Sequence, residues 1–312
     1  MAIQRHQNTP LIDYTIKLMQ DPSVYGAAGI MCPYRAVSKM TDIYYVYETM
    51  DAFRHVDSVR GNKVPAAMVD FSALSSSTYA LQTHKVAMPI SREDRMNADP
   101  AVNPEMEAMD EIMDMVMREK EIDAVKKFFT TTVSSVNNTT LTTNKWSYDT
   151  TTSNPIDDVD TAISAIKKAI GKKANNMVIG DDTWRVLKDH PELLDRIKWS
   201  QQGILSEGLV ASLLGVPNLY VSDVIVQSND YGISATTAFL YQSGALIFYN
   251  DPNPRLRSSN FGTCFTGIYG GTAPEIRRYR DEKIDSDIIE LNWSYDQKIV
   301  LSLAGYFISG TD

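Results

Sequence analysis

Residues 104–129 read PEMEAMDEIMDMVMREKEIDAVKKFF, the longest uninterrupted helical pattern in the chain. Pro104 suits a first helical turn, where its fixed φ fits and its missing N–H would be unpaired anyway. Asp99 or Asn103 can cap the start. Neither Gly nor Pro follows until Pro155, and the interior is filled with good helix formers. Met106, Met109, Met113, Val116, Ile122, Val125 and Phe129 recur at spacings of mostly three and four, an apolar stripe. Acids crowd the first half and Lys126 and Lys127 close the last turn, which opposes the helix dipole at both ends. At about 1.5 Å per residue the rod would span roughly 40 Å. Its thioether-rich stripe reads as a core face against a sheet, with a soft docking groove as the alternative.

Composition narrows the class. With 312 residues and ordinary hydrophobic and charged fractions, the chain can bury an ample core in one elaborate domain or two modest ones. A net charge of −9 argues against a protein whose main task is gripping nucleic acid. Cys32 and Cys264 lie far apart and match no metal or redox spacing, so a reducing cytoplasm is the simplest home. The N-terminus shows no apolar h-region, and nowhere do eighteen apolar residues run together; a soluble chain, unprocessed at its front, is expected.

Working outward, residues 1–30 read as an irregular arm with a short helix over 11–20. Alternation and β-branching in IYYVYET (43–49) and FRHVDSVR (53–60) predict strands. Between Ser58 and Ile90, SVRGNKVPAAMVDF and STYALQTHKVAMPI form a candidate two-stranded excursion with Gly61-Asn62 as its turn. A hairpin with so little to bury is marginal alone and must lie on something else. The Thr-rich stretch after the long helix predicts short strands and turns. From Asn154-Pro155 onward helices and strands interleave: a second amphipathic helix over 155–170 stopped by Gly171, a buried strand NNMVIG, a helix capped by Asp181 or Asp182, another opened by Pro191, and the strands PNLYVSDVIVQ and TAFLYQSGALIFYND. Residues 155–250 therefore read as an α/β unit. The tail, PEIRRYRDEK and DIIELNWSYDQKIVLSLAGYFI, returns to strands, expected to pair beside the long helix.

Chemistry-bearing motifs are scarce. The four histidines, His6, His55, His84 and His190, have no metal-ligand spacing, and no nucleophile elbow, P-loop or dinucleotide fingerprint occurs. Asp157-Asp158 and Asp181-Asp182 are paired carboxylates, but each pair sits at a helix start where capping explains it. His190, before Pro191, reads as a cap. Arg277, Arg278 and Arg280 form a basic patch open to nucleic-acid contact, although neighbouring acids favour salt bridges between chains. No catalytic, cofactor or metal site is expected, and a large chain without one points to a structural role.

Three stretches then carry a resemblance. VIGDDTWRVLKDHPELLDRIKWSQQGILSEGLVASLLGVPNLYVSD (178–223) resembles a segment of major capsid proteins of tailed phages with the HK97 fold. MCPYRAVSKMTDIYYVYE (31–48) resembles that family's segment after its N-arm. YALQTHKVAMPISREDRMNADP (79–100), ahead of a long acidic helix, resembles the return of its extended loop into the spine helix. The resemblance covers most of residues 31–312 in order.

What it implies is an α+β chain with an N-arm at 1–33, an extended β-hairpin loop at 57–93 and an α/β axial domain at 155–250. A peripheral domain would take 34–56, 94–154 and 251–312, with the spine helix at 104–129. The implied function is a non-enzymatic major capsid protein that self-assembles as pentamers and hexamers into an icosahedral shell enclosing double-stranded DNA. The virion is its destination and the host cytoplasm its place of assembly. Implied partners are a separate scaffolding protein, a portal, a decoration protein and DNA held by weak non-specific contact, with no membrane. An encapsulin-like compartment shell is the alternative on the same fold. Candidate inter-subunit contacts are Arg60, Lys63, Lys85, Arg255, Arg257, Arg277 and Arg278. Some family members join subunits by a Lys–Asn isopeptide bond; Lys63 and Lys85 lie in the corresponding loop, but no pattern identifies partners for them.

Overall fold

A computed structural model describes residues 25–47, 74–97, 103–131, 137–147, 153–198, 206–227, 237–252, 258–269 and 273–311, apart from positions 143, 242 and 268, together with single positions between 53 and 68. The elements run α1 (Ala27–Met31), β1 (Tyr34–Ala36), β2 (Thr41–Tyr47), β3 (Leu74–Ala80), β4 (Gln82–Ser91), α2 (Arg92–Asn97), α3 (Pro104–Phe128), β5 (Asn138–Thr140) and α4 (Pro155–Ile170). They continue β6 (Asn176–Gly180), α5 (Asp181–Lys188), α6 (Pro191–Ile197), α7 (Glu207–Leu213), β7 (Asn218–Ser222), β8 (Ile225–Gln227), β9 (Thr237–Phe239), β10 (Ala245–Phe248), β11 (Gly262–Thr266), β12 (Glu275–Asp281), β13 (Ser286–Ile299) and β14 (Gly305–Ser309).

The long helix forms where its sequence predicts. Asn103 is the cap, its side-chain oxygen accepting the Glu105 N–H at 3.1 Å. The stripe is real but rotated. Burial follows spacings of four along two adjacent rows, Ala108, Ile112, Val116, Lys120, Ala124, Phe128 and Met109, Met113, Met117, Glu121, whereas Met106, Ile122 and Val125 are only half-buried. At about 1.5–3 kcal/mol per fully buried apolar side chain, Met109, Ile112, Met113 and Val116 alone make this a core face. The docking-groove alternative falls with it.

The described strands form two five-stranded sheets and two separate two-stranded ribbons. In the first, β13 is the central strand: β11 and β12 pair successive parts of it on one side, β4 pairs it on the other, and β1 adds to β11 in parallel. α3 lies across β13 and β4. The second sheet has the order β5-β14-β10-β6-β7, with α4 packed against β10 and β14. Gly171 stops α4 in the left-handed region, φ 72°, as a C-cap glycine does.

Strand pairing departs from the sequence reading in two places. Most of the 58–71 side lies outside the described residues, and the 77–90 side finds its described partners elsewhere. β4 runs antiparallel to β13 through ten pairs, Gln82↔Tyr295 to Ser91↔Ser286, while β3 pairs β2 from Thr41↔Ala80 to Tyr47↔Leu74. Leu81, buried, is where the chain changes partner. The long apolar register of β13 offers this segment more burial than a free hairpin can. Second, the tail is divided: β13 belongs beside α3, but β14 crosses over and completes the second sheet, as does β5. The Asn62 half of the turn signal and the expected 11–20 helix lie outside the described residues.

α1 and β1 lie directly on the backbone of β11. A Cβ on Gly262 would stand 2.5 Å from the Met31 carbonyl oxygen and 3.0 Å from the Phe128 ring. Gly262→Ala is therefore expected to lift this segment, lowering stability by about 1–3 kcal/mol in equilibrium denaturation and opening the chain before residue 33 to protease.

Candidate core hub and outward faces

The rotated stripe places two charges in the core. Lys120 is 2% exposed and Glu121 1%. An isolated buried charge is costly, so each must be paired or hydrogen-bonded. Lys120 donates to the Tyr34 hydroxyl and lies 4.4 Å from the Tyr34 ring centroid and 5.6 Å from that of Trp293. The ammonium is thus held by π faces and one hydroxyl. Gln297 on β13 donates its side-chain amide to the Lys120 carbonyl at 3.2 Å.

Glu121 does more. Both of its carboxylate oxygens lie 3.1 Å from the Ala28 N–H, a free donor in the first turn of α1, and one accepts the Tyr241 hydroxyl at 2.6 Å. The other end of α1 is held as well: the Asn250 side chain donates to the carbonyls of Ile30 and Met31 at 2.8 and 3.0 Å, while its own oxygen accepts the Phe261 N–H. Lys120 and Glu121 together connect the long helix to α1, β1, β13 and the loop ahead of β10. Burial raises the Glu121 carboxyl above its ordinary range, and the Tyr241 hydroxyl, the Ala28 amide and Lys120 pull it part of the way back.

The outward face is different in kind. β2 and β3 form a ribbon that pairs with no further strand among the described residues. Its base is anchored where Tyr79 stacks on Phe265 at 4.7 Å and Tyr44 meets the same ring at 5.3 Å. On the face opposite Tyr44, Ile43 is 53% and Tyr45 64% exposed. A two-stranded ribbon with bare apolar residues is not self-sufficient in water.

A model of the phage capsid protein family matches residues 75–298, the span from this ribbon through β13. The chain belongs to that family. A stretch of 154 residues is 30% identical to the major capsid protein of Burkholderia phage BcepMu, covering 49% of this chain and 41% of that relative. The major capsid protein of Pseudomonas phage JBD67 is 24% identical over 249 residues, 78% of this chain and 77% of the relative. The crystal structure of a phage-related protein from Bordetella bronchiseptica RB50 superposes with a TM-score of 0.77 at 17% identity, over 98% of both chains. The fold is the HK97-type capsid fold. Solved phage capsids and a solved encapsulin share it, so the fold by itself does not separate a viral shell from a cellular one; the family match does.

The candidate contact residues of this capsid protein divide into three groups. Arg60, Lys63, Arg255 and Arg257 lie outside the described residues. Arg277 and Arg278 are engaged within the chain: Arg277 with Glu275 at 3.4 Å, Arg278 with Glu105 at 2.8 Å and Asp287 at 3.3 Å. Arg95 joins the same network on Asp287 at 2.5 Å, which ties α2, the start of α3, β12 and β13 together. Lys85 is exposed on β4, its ammonium 5.6 Å from the Tyr269 ring centroid.

The residues weighed for catalysis have structural tasks. His190 caps α6, its Nδ1 accepting the Glu192 N–H, and its Nε2 stands 2.7 Å from the Ser153 hydroxyl. With Nδ1 accepting, the ring proton sits on Nε2 and points at the serine, the wrong tautomer for a general base. Burial keeps this imidazole's pKa below its ordinary value. Asn154, not an aspartate, caps α4, while Asp158 accepts the Trp146 indole N–H at 2.9 Å. Asp181 and Asp182 cap nothing; they lie in the first turn of α5, and Asp182 pairs with Arg185 at 2.6 Å. The open cleft of about 580 Å³ between Trp146 and His190 is lined by these groups together with Ser147, Val186, Asp189 and Pro191.

Sequence reasoning missed Lys120 and Glu121, although both fall in phase with the stripe, four residues after Val116 and Met117. Two predictions follow from their surroundings and from the ion network. Tyr241→Phe should cost about 1–3 kcal/mol at neutral pH, because it strips a donor from a buried carboxylate. The folded chain holds the Glu121 proton to a higher pH than the unfolded chain. This group's contribution is therefore complete below its unfolded pKa and fades as pH rises through the folded one, more steeply in the variant. Asp287 has the opposite sign. Hydrogen bonds first from Arg95 and then from Arg278 hold its carboxyl below the usual range. Its stabilisation exists above the unfolded pKa and is lost as pH falls through the folded value, so Asp287→Asn should flatten the acid limb of a stability–pH curve.

Proposed function

We propose that this chain is the major capsid protein of a tailed phage and self-assembles, as pentamers and hexamers, into the icosahedral shell that encloses the double-stranded DNA genome. The observation that carries this reading is the β2–β3 ribbon: the face opposite Tyr44 presents Ile43 and Tyr45 to solvent although the body of the chain has a full core of its own. Another copy is the surface such a ribbon fits. Each copy in a closed shell makes several contacts at once, so modest energy per contact suffices. A net charge of −9 suits a container that holds DNA only by weak non-specific contact. Assembly in the host cytoplasm would draw on a separate scaffolding protein and a portal, and a decoration protein would bind the finished virion. A compartment shell with a cargo enzyme is the rival reading, and the family match disfavours it.

Lys85, exposed beside Tyr269, is the described candidate for an inter-subunit ion pair, and Lys63 joins it in the proposal; Arg277 and Arg278 would act through the network that shapes the same face. Negative-stain microscopy of the chain expressed alone and with neighbouring phage genes tests the whole reading. Closed uniform shells in either condition are expected, with capsomers alone pointing to an external scaffold; dispersed monomers in both would overturn it. Lys85→Glu should cut the yield of shells while leaving the stability of the unassembled chain within about 0.5 kcal/mol. Unchanged shells would remove Lys85 from the interface.

A further inference from the structure

Residues 161–180, TAISAIKKAIGKKANNMVIG, hold four lysines and no acid, in a chain whose net charge is −9. The lysines bracket the end of α4: Lys167 and Lys168 lie in its last turn, Lys172 and Lys173 just past the Gly171 stop. Lys167, Lys168 and Lys173 are exposed, and among the described residues none of the four meets a carboxylate. The Lys172 ammonium stands 4.9 Å from the Tyr249 ring centroid, a cation–π contact that fixes the charge without cancelling it. Lys173 Nζ reaches toward the end of α7, 3.6 Å from where a Cβ on Gly215 would stand. The residues that follow there, Val216, Pro217 and Asn218, are uncharged. Asparagine amides join the facing ends of β6, β7 and β10: Asn218 donates to Asn176 at 3.0 Å, and Asn175 donates to the Asn250 carbonyl at 2.6 Å. The acid that follows β10, Asp251, is half-buried.

Two ordinary explanations cover only part of this. The helix dipole favours cations at Lys167 and Lys168 but fades beyond the last turn, which leaves Lys172 and Lys173. Ion pairing consumes the other basic run, where Arg277, Arg278 and Arg280 meet Glu275, Glu105, Asp285 and Asp287; it is missing here. A guanidinium fork matches a carboxylate, whereas an ammonium on a flexible stem is a point charge that a phosphate satisfies from many directions. The negative total does not oppose such a contact, because charges more than about 8–10 Å away are largely screened at physiological salt.

We propose that Lys167, Lys168, Lys172 and Lys173 form a contact surface for the phosphate backbone of double-stranded DNA. The assignment rests on the reading of the chain as a shell subunit that encloses DNA, and it adds which residues touch the genome. Four phosphate contacts give sequence-independent binding that lapses as salt rises, enough for DNA to rest against the shell and too little to retain it.

The test measures binding of a short fluorescent DNA duplex to the full chain before assembly, by anisotropy across a NaCl series. The log–log slope should be about −3.6, so affinity falls about 100-fold from roughly 50 to roughly 200 mM salt. Each single Lys→Gln change in the patch should reduce the slope by about 0.9 and weaken AT-rich and GC-rich duplexes alike. The combined variant should lose binding, and the single variants carry the test if it does not fold. Lys188→Gln and Lys283→Gln, at exposed lysines elsewhere, should leave binding as it is. Unchanged binding in the patch variants, or no salt-dependent binding by the wild-type chain, would overturn the proposal. Polyglutamate competing as well as DNA, charge for charge, would also overturn it and mark the surface as one for an acidic protein. No shell is needed for the measurement, so its failure leaves shell formation standing, and failure of shells to form leaves a bound duplex standing.

Discussion

Glu121 is the constraint on which the remaining arrangement depends. A carboxylate in the core is tolerable only while its oxygens are met, and here they are met by groups from two other parts of the chain: the amide of Ala28 and the hydroxyl of Tyr241. Each partner is displaced only by exposing the charge to an apolar interior. The consequence is geometric. The long helix, the segment ahead of β1 and the loop leading into β10 are held in one relative position by a directional contact, where apolar packing alone would allow sliding. Lys120, one residue earlier, repeats the device with Tyr34 and the β13 side chains.

The second organising element is β13. It carries β11 and β12 on one edge and β4 on the other, and it presents Leu291, Trp293 and Tyr295, all buried, within the core. After a short turn at Ser302–Ala304 the chain enters the other sheet as β14. A force applied to the ribbon, which is continuous with β4 through Leu81, therefore reaches the central strand directly. In a subunit whose ribbon rests on a neighbour, this is the path by which strain between copies would enter the body.

Much of this was legible in the sequence, for identifiable reasons. The helices at 104–128 and 155–170 announce themselves by propensity, Pro at the first turn, and an Asn or Gly at the ends. The strand 176–180 is a short apolar run between turn signals and is buried throughout, as its composition requires. Partner choice was not legible. Segment 82–91 alternates as any half-exposed strand does, and nothing local distinguishes a hairpin partner from a strand two hundred residues away. The phase of the helix stripe was misjudged because Lys120 and Glu121 look like surface residues; only Tyr34, Trp293, Tyr241 and the Ala28 amide, all remote in sequence, make that face their place. The candidate contacts were legible as charges but not as pairs, since Arg278 finds Glu105 and Asp287 only after the sheet has formed.

The order in which the strands leave the ribosome matters. β4 and β12 reach the first sheet only through β13, and β5 reaches the second only through β14, so elements made early wait for strands made late. Such long-range closure is slow compared with local helix formation. Translation up to residue 285 therefore yields a body in which β4, β5 and β12 still lack their sheet partners. A product truncated before β13 lacks the strand that joins β4, β11 and β12 into one sheet. Completion of the first sheet is thus tied to the C-terminal part of the chain, so a truncated copy differs from a complete one in fold as well as in length.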